Sequence, residues 1–250
     1  MLFGALIIGD EILSGKRQDK HLAKVIELLR ARGLSLSWAH YLGDERRRIV
    51  ETLFRTFASD DVVFSFGGIG ATPDDHTRQA AAEAVGVELE LHPEAKAEIE
   101  ARFGAEAYPK RILMGEFPAG SRIIPNPYNR VPGFSLGKHH FLPGFPEMAW
   151  PMMEWVLDQC YPHLHRASRE VDEAIIVREA GESQLVDLMH DIVARYPALR
   201  LFSLPHIGAE GRHIELGVRG DAEAVRTAMG EIRVGVTRLG FPWEHRPPLA

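Results

Sequence analysis

The order of apolar segments predicts an α/β protein, a mainly parallel sheet with helices on both faces, followed by a small α+β module. Three observations carry this. Short apolar runs alternate with segments of helical period through residues 3–103, the run at Asp61 to Phe66 ends abruptly on Gly67-Gly68, and the pattern changes to β-α-β-β-α after residue 168.

The elements follow in order. Phe3 to Ile8 is an unbroken apolar run of strand length. From about Asp19 to Arg32, Leu22, Val25, Ile26 and Leu29 recur at helical spacing, and Gly33 stands where a helix ends. Leu34 to Leu42 reads as a second strand. Asp44 then suits the N-cap of a helix carrying Ile49, Leu53, Phe54 and Phe57. Asp61 to Phe66 is a third strand that stops at Gly67-Gly68, and an alanine-rich helix runs from about Thr77 to Val85. A helix around Pro93 to Phe103 precedes a stretch rich in Pro, Gly and Asn, with short strands near Arg122-Ile123-Ile124 and His140-Phe141-Leu142. A helix from about Glu147 to Gln159 closes residues 1–162, and Pro162 to Arg166 reads as a linker. Residues 168–250 form the second module: a strand at Glu173 to Arg178, a helix at Glu182 to Tyr196 with Leu185, Leu188, Met189, Ile192 and Val193 on one face, strands at Leu199 to Leu204 and His213 to Val218, and a last helix capped by Asp221.

Composition narrows the class. With 250 residues, 45% hydrophobic and 26% charged, the chain can build a real core. Its formal charge of -6, with both signs interspersed, argues against nucleic acid as the main partner. A single cysteine, Cys160, makes no internal disulfide, so a reducing cytoplasm is the expected compartment. The apolar N-terminus has no basic leader and is followed by Asp10 and Glu11, which suits a buried strand rather than a signal peptide. No apolar stretch approaches the roughly 20 residues that span a bilayer, so no membrane partner is expected.

Three constellations can carry chemistry. Gly67, Gly68 and Gly70 lie between a strand and a helix start, where glycine lets backbone N–H groups approach an anion and Thr72 adds a hydroxyl. Asp74 and Asp75 sit awkwardly beside phosphate unless a divalent cation offsets them. Equally, the loop could be a tight turn whose aspartates cap the next helix. It is neither a dinucleotide fingerprint nor a Walker A sequence. Gly9-Asp10-Glu11 with Ser14-Gly15 follows the first strand, so it falls on the same sheet rim, as does Asp44. Finally, Asn126 to Phe134 and Leu142 to Met148 are two loops stiffened by proline and glycine, the second ending in Pro146-Glu147 at a helix start. His139-His140, His163 with His165, and the Arg46-Arg47-Arg48 run have plainer readings, as packing, linker and a solvated face.

At these residues the chain resembles the molybdopterin-binding domain family, most closely its competence/damage-inducible (CinA-type) branch. The resemblance rests on Gly9-Asp10-Glu11, Ser14-Gly15, Asp19, Gly43-Asp44, the block Gly67 to Thr77, Asn126-Pro127, Pro132-Gly133-Phe134 and Leu142 to Met148, in order across about residues 3–155. It implies a three-layer α/β/α fold with a groove at the strand ends. It implies that Gly9, Asp10, Glu11, Ser14, Gly15, Gly67, Gly68, Gly70, Thr72, Asn126, Pro143, Gly144, Pro146 and Glu147 contact a nucleotide or pterin. By the same carry-over, Asp44 and Asp75 match the two acids at the reacting centre of adenylyl-transfer enzymes of molybdenum cofactor synthesis, and would hold Mg²⁺ or another divalent cation. The implied activity is hydrolysis of a nucleotide pyrophosphate such as ADP-ribose or FAD. The alternatives are molybdopterin binding or adenylyl transfer, or a non-catalytic nucleotide-binding module. Relatives self-associate, which implies a homo-oligomer. The amidohydrolase domain found beyond this module in other members is expected to be absent. His21 replaces the family's usual Asn, Asn129 its usual Gly, and His76 an apolar residue.

Overall fold

The computed structural model describes residues 1–165, 171–208 and 211–246 and divides the chain into two compact units that part after His165. The expected start of the second module, residue 168, and the linker residue Arg166 lie outside the described residues.

The first unit runs β1 (Phe3–Ile8), α1 (Asp10–Leu13), α2 (His21–Ala31), β2 (Leu36–Leu42), α3 (Arg46–Phe57), β3 (Val62–Phe66), α4 (Thr77–Val85), β4 (Leu89–Leu91), α5 (Pro93–Phe103), β5 (Glu116–Pro118), β6 (Arg122–Ile124), β7 (Gly133–Leu136), β8 (His139–Leu142) and α6 (Pro146–Cys160). Its sheet has the order β2-β1-β3-β8-β7-β6. β2, β1, β3 and β8 are parallel, whereas β7 and β6 are antiparallel additions at one edge. β4 and β5 pair separately.

Every residue of β1 and β3 is buried, as expected for strands covered on both faces. Alternate side chains supply the two cores. Phe3, Ala5, Ile7, Phe64 and Phe66 pack with Val25 and Leu29 of α2 and Met152 and Val156 of α6. Leu6, Ile8 and Val63 pack on the other face with Ile49 and Leu53 of α3, Ala80 and Ala81 of α4 and Ala95 of α5. The result is the three-layer sandwich that the alternating pattern predicts. Two helix faces differ from the expectation: Ile26 and Phe54 are exposed, because α2 and α3 turn Leu28 and Thr52 inward instead.

A further correction concerns Asp44. The residue preceding α3 is Glu45, no side chain caps that helix, and the Asp44 carboxylate instead accepts from the Asp10 N–H at 2.9 Å. Gly33 does end α2 in the left-handed region, at φ 69°.

The second unit runs β9 (Val171–Arg178), α7 (Glu182–Arg195), β10 (Arg200–Gly208), β11 (Gly211–Gly220), α8 (Ala222–Arg238) and β12 (Trp243–His245). Its antiparallel sheet has the order β10-β11-β9-β12. Both helices pack on a core of Ile175, Val177, Ile214, Leu216, Leu185 and Met229, and Asp221 caps α8 through the N–H groups of Glu223 and Ala224. Val193 is exposed rather than on the packed face of α7, and β12 adds a strand beyond the expected β-α-β-β-α order. Among the described residues no helix is long and apolar enough to cross a membrane.

Candidate functional site

A groove of about 500 Å³ opens at the carboxyl ends of β1, β3 and β8, where ligands of open parallel sheets bind. The loops after these strands build most of it, joined by Asp44 after β2 and by the segment from Asn126 to Pro132 between β6 and β7.

The loop after β3 is held in a conformation that its glycines make accessible. Gly67 has φ 101° and Gly68 φ 68°, both in the left-handed region. A Cβ on Gly67 would run into the carbonyl oxygen of Ile8, and one on Gly68 into the Thr77 hydroxyl. Thr77 locks the turn: its hydroxyl donates to the Gly67 carbonyl at 3.0 Å and its N–H to the Gly68 carbonyl at 2.9 Å. Arg78, 3% exposed, ties the loop to distant chain by donating to the carbonyls of Gly70 (2.8 Å), Leu113 (2.7 Å) and Glu116 (3.0 Å). The N–H groups of Gly68, Ile69, Gly70 and Ala71 find no acceptor among the described residues, and all four residues line the groove.

Acids face this loop from two sides. Asp75 accepts from the Thr72 N–H (2.8 Å) and hydroxyl (2.5 Å) through Oδ2, leaving Oδ1 unpaired. On the wall formed by the loops after β1 and β2, Asp10 and Asp44 clasp each other, each side chain accepting from the other's backbone N–H at 3.3 Å and 2.9 Å. This clasp requires Gly43, where a Cβ would strike the Asp10 carboxylate. Burial raises the proton affinity of the Asp44 carboxyl; the Asp10 N–H opposes this, and the charges of Asp10, Glu11 and Asp74 add to the rise. The wall is therefore a focus of negative charge, with no cation paired to Asp44 among the described residues.

The third wall is the loop after β8. His21, at the start of α2, stacks on Phe66 at 4.5 Å and donates its Nε2–H to the Gly144 carbonyl at 3.1 Å. Its Nδ1 is buried without a partner, and burial lowers its pKa, so the ring is neutral. The departure from Asn thus places a tether behind the groove. Asn129 is likewise built into the scaffold: its Oδ1 accepts from the Asn126 Nδ2 (2.8 Å) and the Val131 N–H (2.9 Å), and its own Nδ2 reaches the Met148 sulfur (3.3 Å).

Of the residues expected to contact a ligand, the structure brings Gly9, Glu11, Gly67, Gly68, Gly70, Thr72, Asn126, Pro143 and Gly144 together on the groove with Asp44 and Asp75. Asp10 sits behind Asp44. Ser14 and Gly15 close the turn after α1, and these two, with Pro146 and Glu147 at the start of α6, fall outside the lining. Sequence reasoning missed Arg17 and an apolar end made by Phe103, Met114, Phe145 and Met148. Only Phe145 and Met148 stood within one of the three constellations; Phe103 ends the expected helix at Pro93 to Phe103, which carries no site motif, and Met114 falls in a segment with no pattern of its own. Equally unsignalled was Arg78, which reads locally as a solvated helix residue.

His139 and His140 do point to opposite sides of β8, and neither serves the groove. His139 stacks on Phe57 and pairs with Thr56, while His140 bridges Ser135 and Tyr161. Among the described residues no group of three or more His, Cys, Asp or Glu side chains is arranged to hold a metal ion.

The sheet and its groove define a class, three-layer α/β domains with a glycine-rich loop and facing acids at the strand ends. Residues 4–165 match the family model described as "Probable molybdopterin binding domain". The chain belongs to the molybdopterin-binding domain family. Among its relatives, the CinA-like protein of Geotalea uraniireducens is 31% identical over 90% of this chain and 55% of its own length. That of Geobacter sp. (strain M21) is 31% identical over 96% and 58%. The chain thus spans little more than half the length of these two relatives. A protein of Caldivirga maquilingensis is 32% identical over 75% of each chain. The crystal structure of CinA from Thermoplasma acidophilum superposes with a TM-score of 0.58 at 27% identity, covering 62% of this chain and 95% of that one.

Proposed function

We propose that the groove binds a nucleotide pyrophosphate of the ADP-ribose or FAD type and hydrolyses it with a divalent cation. One observation carries the reading: four successive N–H groups, from Gly68 to Ala71, are unpaired on the groove wall opposite a carboxylate cluster. Unpaired amides on a rigid glycine-rich loop before a helix are suited to phosphate. The Thr77 and Arg78 contacts hold that loop in place before any ligand arrives, so little reorganisation accompanies binding.

The donor set suits a hard cation. Asp44 and Asp75 each keep a free oxygen, and the crowding of Asp10, Glu11 and Asp74 around Asp44 is charge that a cation offsets. Two carboxylates with phosphate oxygens and water match Mg²⁺, which rarely takes an all-protein cage. Bound there, the ion would neutralise phosphate charge and orient water. The amides of Gly68 to Ala71 would hold the phosphate oxygens and stabilise charge that develops on them, while the Thr72 hydroxyl positions Asp75. Phe103, Met114, Phe145 and Met148 offer an apolar end for a flat heterocycle.

The test is release of AMP from ADP-ribose and FAD with Mg²⁺, Mn²⁺ or Co²⁺. Wild type should turn over at least one of them, and Asp75→Ala should lower the rate by about a hundredfold or more, as for loss of one transition-state stabilising group. No release from wild type, or undiminished release from Asp75→Ala, overturns the proposal. The family match favours a second reading, molybdopterin binding or adenylyl transfer, because the apolar end suits a pterin equally. Saturable molybdopterin binding without pyrophosphate turnover would favour it.

A further inference from the structure

The groove lining holds four carboxylates, Glu11, Asp44, Asp74 and Asp75, and one cationic side chain, Arg17. Arg17 is fixed through its backbone, its N–H donating to the Glu11 carbonyl at 2.9 Å just beyond the turn that Gly15 closes at φ 73°. Its guanidinium, by contrast, has no hydrogen bond or ion pair among the described residues, although carboxylates share its groove. The other cation beside the loop, Arg78, is committed to three carbonyls, whereas Asp75 and Asp44 each spend one oxygen on Thr72 and Asp10. An anchored residue that presents five unused donors to a groove poor in positive charge is a receptor for a second anionic group, and the planar guanidinium is the side chain best matched to phosphate. The groove is also larger than one phosphate requires, at about 500 Å³.

We propose that Arg17 binds the second phosphate of the ligand, while the Gly68–Ala71 amides bind the first, and that Arg17 thereby makes the site select two linked phosphates over one. This rests on the nucleotide pyrophosphate reading and deepens it. Arg17 is a specificity residue: it lies on the rim, and its removal leaves the amide loop, the Asp10–Asp44 clasp and both cores untouched.

The experiment compares the affinities of AMP and ADP for wild type, Arg17→Ala and Arg17→Lys by calorimetry at one fixed Mg²⁺ concentration. Wild type should prefer ADP by about tenfold or more, the range of a charge-assisted contact. Arg17→Ala should lose most of that preference with AMP affinity unchanged, and Arg17→Lys should keep part of it. If wild type prefers ADP and Arg17→Ala keeps the preference, or weakens both ligands equally, Arg17 is not the second-phosphate contact and the nucleotide reading stands. If wild type binds neither ligand, the nucleotide reading fails and this inference falls with it.

Discussion

Asp44 is where the chemistry of single residues meets the proposed activity. Its carboxyl is half-buried, and that burial together with the charges of Asp10, Glu11 and Asp74 makes it ionise at a higher pH than an ordinary carboxylate. A reaction that needs Asp44 ionised is lost as pH falls through that raised value. Asp10→Asn removes a neighbouring charge, while the amide oxygen can still accept from the Asp44 N–H. The acid limb of log kcat/KM against pH should therefore move to lower pH in Asp10→Asn; an unmoved limb would mean that Asp44 does not set it. Gly67 makes a different demand on its residue. With φ 101° and the Ile8 carbonyl where a Cβ would sit, Gly67→Ala should cost about 3 kcal/mol in denaturant unfolding. Gly15 has a positive φ but open space around it, so Gly15→Ala should cost only about 1 kcal/mol. These two glycines were legible as glycines, because residue type alone announces an unusual backbone. The partners of Asp44 were not. An aspartate before a helix ordinarily caps it, and only the fold brings Asp10, 34 residues earlier, close enough to claim its carboxylate.

At the level of elements, β8 shows how a strand can be read correctly and its role still missed. The alternation that sends His139 and His140 to opposite faces is a property of any strand, but burial decides what they do. Burial pushes the pKa of His139 down to about 4, against a smaller opposing pull from Asp61, and that of His140 down to about 3. Both rings are neutral in the native state and protonate more readily unfolded. Their stabilisation is complete above about pH 6.5 and declines as pH falls toward 4, and further toward 3 through His140. His139→Phe keeps the stacking on Phe57, and the Thr56 hydroxyl retains the Leu53 carbonyl at 3.1 Å. The acid unfolding midpoint should accordingly fall in His139→Phe; a midpoint that stays or rises would refute the assignment. Other elements left no trace in the sequence. The four-residue β7, between β8 and β6, and the three-residue β12 are too short for a periodic pattern to register. Arg78 works through carbonyls 35 and 38 residues away, which no local window can contain.

For the whole molecule, the alternation of apolar runs and helical periods was enough to define three layers in the first unit, because each buried strand must be covered on both faces. The groove followed from topology, since the loops after parallel strands emerge on one rim. What topology could not supply was the lining contributed from outside the flagged blocks: Arg17, and Phe103 with Met114, whose positions depend on how α5 and the turn after it fold back. The central claim is that this rim holds linked phosphates between an amide loop and a carboxylate-bound cation. A crystal structure of the Asp75→Asn protein with ADP-ribose and Mg²⁺ tests it most directly. Phosphate oxygens on the N–H groups of Gly68 to Ala71, with the ion against Asp44, are the predicted result. Phosphates bound away from that loop, or an ion distant from Asp44, would contradict it.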